Sequence, residues 1–195
     1  MNLPNKLTLF RCILTPIFLA VLLVPFPFHY TAALLLFIVA SLTDLFDGRI
    51  ARSRGLVTNL GKFLDPLADK ALTTAAYLGL MAVASVGRWE IISLCWALML
   101  ILAREFAVTS VRLLAAKDGV VIAASMAGKV KTVMQMVSII YMLAAEQVLM
   151  LFPQGAWQFC LMLLGHVMIW IAVIATVVSG IQYVWGCRQY FQNNG

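Results

Sequence analysis

Charge is scarce in this chain. Only 11% of its 195 residues are Asp, Glu, Lys or Arg, while 63% are hydrophobic, which excludes an ordinary soluble domain. Histidine and cysteine are scarcer still, at two and four residues. Cys12, Cys95, Cys160 and Cys187 lie far apart within apolar segments. They form no metal-binding spacing, imply no disulfide, and read as small buried hydrophobes. His29 and His166 are isolated and carry no assignment. There is no internal repeat and no low-complexity tract. The net charge of +6 does not point to nucleic acid, because the few basic residues sit near the ends of apolar runs. Anionic lipid headgroups and phosphorylated substrates fit them better.

What remains is long apolar sequence, and runs of this length satisfy their backbone in a bilayer only as helices. The length accommodates roughly six spans with short connections, read as a single all-α domain over 1–195. The apolar runs place helices at about 7–24, 31–50, 59–85, 89–114, 123–149 and 157–185. Residues 1–9 read as a short interfacial helix leading into the first span. Lys6 and Arg11 before an apolar run imitate a signal peptide, but Thr31, Ala32 and Ala33 run straight into another span, so no cleavage is expected there. Pro66 predicts a bend in the third helix or a late start. Trp89, Trp157 and Trp185 fall near predicted interfaces. Met134, Met136 and Met142 read as packing filler. The first, third and fifth connections hold one basic residue, Arg88, so both termini are expected on the cytoplasmic side.

Against that background four carboxylates stand out. Asp44, Asp47, Asp65 and Asp69 are half of the eight acidic residues in the chain. An ionised side chain at membrane depth costs about 3 kcal/mol or more, so their clustering needs a physical reason. At about 100° per residue, Asp44, Asp47 and Ala51 share one helix face, as do Gly61, Asp65 and Asp69 on the next helix. Two antiparallel helices would bring the four anions together, which requires cations. Oxygen ligands without His or Cys point to Mg²⁺ or Mn²⁺, and four carboxylates have oxygens enough for two ions. Helix capping explains one Asp per helix end, not two facing pairs. Gly48 and Gly61 permit close approach, and Arg52 can pair with a phosphate or with the Asp cluster. Lys70 can neutralise or orient Asp69.

A basic set gathers on the same side: Arg112, Lys129 and Lys131, with Arg104 deeper. It reads as a second phosphate site or as ordinary inside-positive charge. Arg104 and Glu105 can also simply pair to brace their helix. Asn5, Thr8 and Arg11 recur at three-residue steps and form a polar stripe, which capping plus a snorkelling Arg would also explain.

The string D-x₂-D-G-x₂-A-R-x₈-G-x₃-D-x₃-D is met at Asp44, Asp47, Gly48, Ala51, Arg52, Gly61, Asp65 and Asp69. In this the chain resembles the CDP-alcohol phosphotransferase family. The opening Asn2-Leu3-Pro4-Asn5, Thr8 and Arg11, the Ala103-Arg104-Glu105 step, Val111-Arg112-Leu113 and Gly128-Lys129-x-Lys131-Thr132 resemble its phosphatidylglycerophosphate-forming branch. The resemblance implies six transmembrane helices, a homodimer and a bacterial inner-membrane location with the site facing the cytoplasm. It implies transfer of a phosphatidyl group from CDP-diacylglycerol to sn-glycerol 3-phosphate, with release of CMP. It gives Asp44, Asp47, Asp65 and Asp69 as ligands of two Mg²⁺ or Mn²⁺ ions, and Asp69 as general base. Asn5, Thr8, Asp44, Gly48, Ala51, Arg52 and Gly61 would line the CDP-diacylglycerol site. Arg112, Lys129, Lys131 and Arg104 would hold the glycerol phosphate. A different acceptor, as in cardiolipin synthases or phosphatidylinositol phosphate synthases, is the alternative within the family. A divalent-cation transporter is the alternative outside it, disfavoured because the ionisable groups gather towards one side.

Overall fold

A computed structural model describes residues 3–53, 59–84, 87–117, 126–153, 155 and 157–186. Their side chains are described except at 3–5, 44–53, 59–66, 114, 116–117 and 126–127. Every regular element among them is helical: α1 (Leu3–Leu23), α2 (His29–Ser53), α3 (Asn59–Ala82), α4 (Arg88–Lys117), α5 (Met126–Leu151) and α6 (Trp157–Gly186). The expected boundaries hold to within a few residues, with one exception. Residues from Leu3 onwards are the first turns of α1 rather than a separate interfacial helix. Nothing in this segment breaks a helix except Pro4, and proline is tolerated in a first turn.

Among the described residues, four helices are long and apolar enough to cross a membrane, over Lys6–Leu23, Arg88–Leu113, Gly128–Leu151 and Trp157–Gly186. α2 differs, because its apolar part is the shorter stretch His29–Thr43. Fifteen residues rise about 22 Å, less than the ~30 Å hydrocarbon core. The acidic motif completes α2, so its charged end falls where the apolar run stops. α3 runs helical from Asn59 through Pro66, so the late start considered above does not occur.

α1 lies against α2 and α3; α5 lies against α6 and α2; α4 lies against α6 and α3; α2 and α3 also touch. Leu14, Phe18 and Leu22 of α1 are buried while Phe10, Ile13 and Ile17 are exposed. A soluble protein could not leave such faces uncovered; in a bilayer they meet lipid. The polar groups lie inside instead, Thr8, Arg11, Glu90, Lys131, Gln135 and Glu146 among them. Small residues bring helices close. A Cβ at Gly165 of α6 would come 2.3 Å from Met142 Sδ of α5, and one at Gly180 would come 2.6 Å from Arg104 Cγ of α4. Gln147 of α5 caps α2, its Oε1 accepting from both the backbone N–H and the hydroxyl of Thr31 at 3.0 Å.

Three expectations about single residues change. Cys12 is half-buried, but Cys95 and Cys160 are exposed, because a thiol suits a lipid-facing surface as well as a core; Cys187 lies outside the described residues. Met142 is a core residue, whereas Met134 is exposed. His166 is buried beside Glu90, with its Nδ1 3.1 Å from Ser93 Oγ, which also accepts from Trp170 Nε1 at 2.9 Å. Trp89, Trp157 and Trp185 each stand within one residue of a helix end and are exposed, as interfacial indoles do.

Candidate active site

The acidic motif is carried by the end of α2 and the start of α3, helical over 44–53 and 59–69. The helical register therefore keeps Asp44, Asp47 and Ala51 on one face of α2, and Gly61, Asp65 and Asp69 on one face of α3. The side chains of Asn5, Asp44, Asp47, Gly48, Ala51, Arg52, Gly61 and Asp65 lie outside the described residues. Among the described side chains, no group of three His, Cys, Asp or Glu residues gathers to hold a metal. The donor types suit a hard divalent ion: the motif offers carboxylates and no His or Cys, on two helices that touch.

Asp69 is half-buried. It lines a narrow cavity with Lys70, Glu105, Lys131, Thr132 and Gln135, so α3, α4 and α5 meet around it. The cavity measures about 10 Å³, near the space of one water. Lys70 turns to α4, donating to Thr109 Oγ1 at 2.7 Å with its ammonium 5.5 Å from the centre of the Phe106 ring. Lys131 is buried and donates to Glu105 Oε1. Arg104 donates from Nη1 to the same oxygen at 3.0 Å, and from Nη2 to Ser179 Oγ of α6 at 3.0 Å. Two cations therefore share one carboxylate, leaving this group net positive. That is the charge an anionic ligand needs.

Arg112 and Lys129 are exposed. Arg112 donates from Nε to Tyr183 Oη at 3.1 Å and lies 5.2 Å from that ring's centre. Arg104 and Arg112, two turns apart on α4, thus both rest on α6, at Ser179 and Tyr183. Of the basic residues expected in the site, Arg104 and Lys131 are joined through Glu105. The side chain of Arg104 is committed on both sides, which matches the bracing role weighed for it above. Thr8 is buried. Arg11 is completely buried, so it does not snorkel; a charge this deep is held by the protein interior. Sequence reasoning missed Glu105 as the centre of the cluster, and Thr109, Ser179 and Tyr183 as its supports. The usable signal was an acid inside an otherwise apolar span. A larger groove of about 610 Å³ opens between α4 and α6, but its lining is apolar apart from Arg104, and the ionisable groups lie in the small cavity instead.

Among the described side chains, Asp69 and the Lys131–Glu105–Arg104 cluster form an ionic site inside a helical bundle whose outer faces are apolar, the build of an integral membrane protein. The chain belongs to the CDP-alcohol phosphatidyltransferase family, whose model matches residues 1–178. It is 41% identical over 194 residues to the CDP-diacylglycerol–glycerol-3-phosphate 3-phosphatidyltransferase of Bacillus subtilis (strain 168), covering 93% of each chain. It is 37% identical over 190 residues to the protein of the same name from Rickettsia bellii (strain RML369-C), covering 97% of each. It is 37% identical over 186 residues to a probable phosphatidylglycerophosphate synthase of Mycobacterium tuberculosis (strain ATCC 25618 / H37Rv), covering 94% of this chain and 80% of that protein.

Proposed function

We propose that this protein transfers the phosphatidyl group of CDP-diacylglycerol to sn-glycerol 3-phosphate, forming phosphatidylglycerophosphate and CMP. The observation that carries this reading is that Asp69 and Lys131 line one small cavity: the last carboxylate of the motif adjoins a buried cation, the charge that an acceptor phosphate needs nearby. Relatives that bear the corresponding name over nearly the whole chain support it. Asp44, Asp47 and Asp65, with Asp69 sharing, would hold two Mg²⁺ or Mn²⁺ ions. Bound there, such ions supply charge neutralisation at a pyrophosphate. Asn5, Thr8, Gly48, Ala51, Arg52 and Gly61 line the donor site beside Asp44. Lys131, Lys129 and Arg112 hold the acceptor phosphate, and Arg104 braces them.

The acceptor hydroxyl oxygen attacks the β-phosphorus of the donor. Its proton passes to Asp69, and the bond from that phosphorus to the oxygen bridging to CMP breaks. A carboxylate among cations is a weak base, so alignment contributes more than basicity. The donor's acyl chains stay in the bilayer throughout. All six helices span the membrane as one domain, and the site faces the cytoplasm of a bacterial cell. By the family resemblance the working unit is a homodimer.

A panel of acceptors tests the reaction, with CMP release scored in vesicles of both orientations. Glycerol 3-phosphate should be used in preference to phosphatidylglycerol, inositol phosphate and glycerol. It should be used without permeabilisation only where the cytoplasmic face is outward. Equal use of phosphatidylglycerol would replace this reading with that of a cardiolipin synthase; no CMP release with any acceptor would remove it.

A further inference from the structure

The ionic cluster contains one carboxylate that the reaction does not consume. Glu105 Oε1 accepts from both Lys131 and Arg104. The side chains are sheltered, at 18% exposure for Glu105, 8% for Lys131 and 10% for Arg104. An ammonium this buried needs a counter-charge, and removing one partner of such a pair is costly.

The two cations depend on Glu105 unequally. Arg104 also donates to Ser179 at 3.0 Å, and its stem lies over Gly180, where no side chain obstructs it. Those contacts locate Arg104 whether or not Glu105 is present. Lys131 has a flexible four-carbon stem and no comparable second anchor of fixed geometry. Its ammonium has three N–H donors, and Glu105 takes one direction. No described side chain takes the other two, and the one-water cavity that Lys131 shares with Asp69 adjoins the ammonium.

We propose that Glu105 is a positioning residue for the acceptor: it fixes Lys131 Nζ so that the ammonium meets the phosphate of the incoming alcohol. This rests on the reading of Lys131 as part of the acceptor site, and places the specificity for a phosphorylated alcohol partly on a residue that does not touch it. Glu105 acts on the acceptor through Lys131, with Arg104 held beside it on Ser179, and the donor KM is the control.

Steady-state kinetics of the purified full-length protein with CDP-diacylglycerol in detergent micelles tests this, using Glu105→Gln, Glu105→Asp, Lys131→Ala and the Glu105→Gln/Lys131→Ala double variant. Glu105→Gln should raise the KM for glycerol 3-phosphate by about ten- to a hundredfold, the span of one charge-assisted hydrogen bond. The donor KM should stay within about twofold. Glu105→Asp keeps the charge on a shorter stem and should show a smaller but measurable rise. The double variant should match Lys131→Ala, because both changes remove one interaction. KM does not depend on the active fraction, so partial misfolding does not obscure the result. If Glu105→Gln fails to fold, Glu105→Asp still decides. An acceptor KM equal to wild type in Glu105→Asp would overturn the proposal. So would a lowered acceptor KM in Glu105→Gln, which would make Glu105 a competitor of the phosphate, or parallel changes in both KM values. An unchanged acceptor KM in Lys131→Ala would instead sink the acceptor-site reading, whatever Glu105 does.

Discussion

In the proposed reaction Asp69 takes the proton, and among the described side chains it is the member of the motif that lines the cavity of Lys131 and Glu105. Asp69→Asn preserves shape and removes the proton acceptor. Turnover should fall by about 10²- to 10⁴-fold, the usual contribution of a positioned base, while the donor still binds. Equilibrium binding of a CDP-diacylglycerol analogue beside a single-turnover rate checks both halves; near-normal turnover would remove the base role. The spacing made Asp69 legible in the sequence, since a fixed helical step puts it in line with Gly61 and Asp65. Glu105 was legible only as a neighbour of Arg104. Its bond to Lys131 joins α4 to α5 across 26 positions, and no local pattern announces a contact between two helices separated by a loop. Arg11 shows the opposite difficulty. A cation near the start of an apolar run suggests an interfacial position, yet packing of α1 against α2 and α3 encloses it completely.

At the scale of elements, glycines set how closely the helices approach. Gly165 lies where α6 meets Met142 and Tyr141 of α5, with ring carbons of Tyr141 only 3.2 Å from a Cβ built there. Gly165→Leu should force the pair apart and destabilise the bundle by about 1–3 kcal/mol, as overpacking does. A lower thermal midpoint in detergent would show it. An unchanged midpoint would mean that α5 and α6 are not in this close contact. The helices themselves were legible because apolar runs of this length have one solution in a bilayer. Their ends were less so. α2 continues as helix through the polar motif to Ser53, although the apolar signal stops at Thr43. α1 begins at Leu3, so the first residues extend a span rather than form a separate piece.

Among the described residues the bundle turns its polarity inward: apolar side chains cover the outside, Lys131, Glu105 and Arg104 are sheltered together, and Arg11, Glu90 and Glu146 are buried apart from them. Four helices among the described residues meet the length and hydropathy needed to cross a membrane, and the acidic motif follows the apolar stretch His29–Thr43 of α2 and opens α3. That division explains why composition announced a membrane protein at once, while the site needed spacing. The net-positive cluster could not be placed from charge alone, because inside-positive loop residues have the same composition as a phosphate site. The central claim is that α2 and α3 together hold two divalent ions. Electron paramagnetic resonance of the purified protein titrated with Mn²⁺ tests it most directly. Two spin-coupled ions per chain are expected, with coupling lost in both Asp44→Asn of α2 and Asp65→Asn of α3. A single uncoupled ion, or a signal that survives either substitution unchanged, would contradict it.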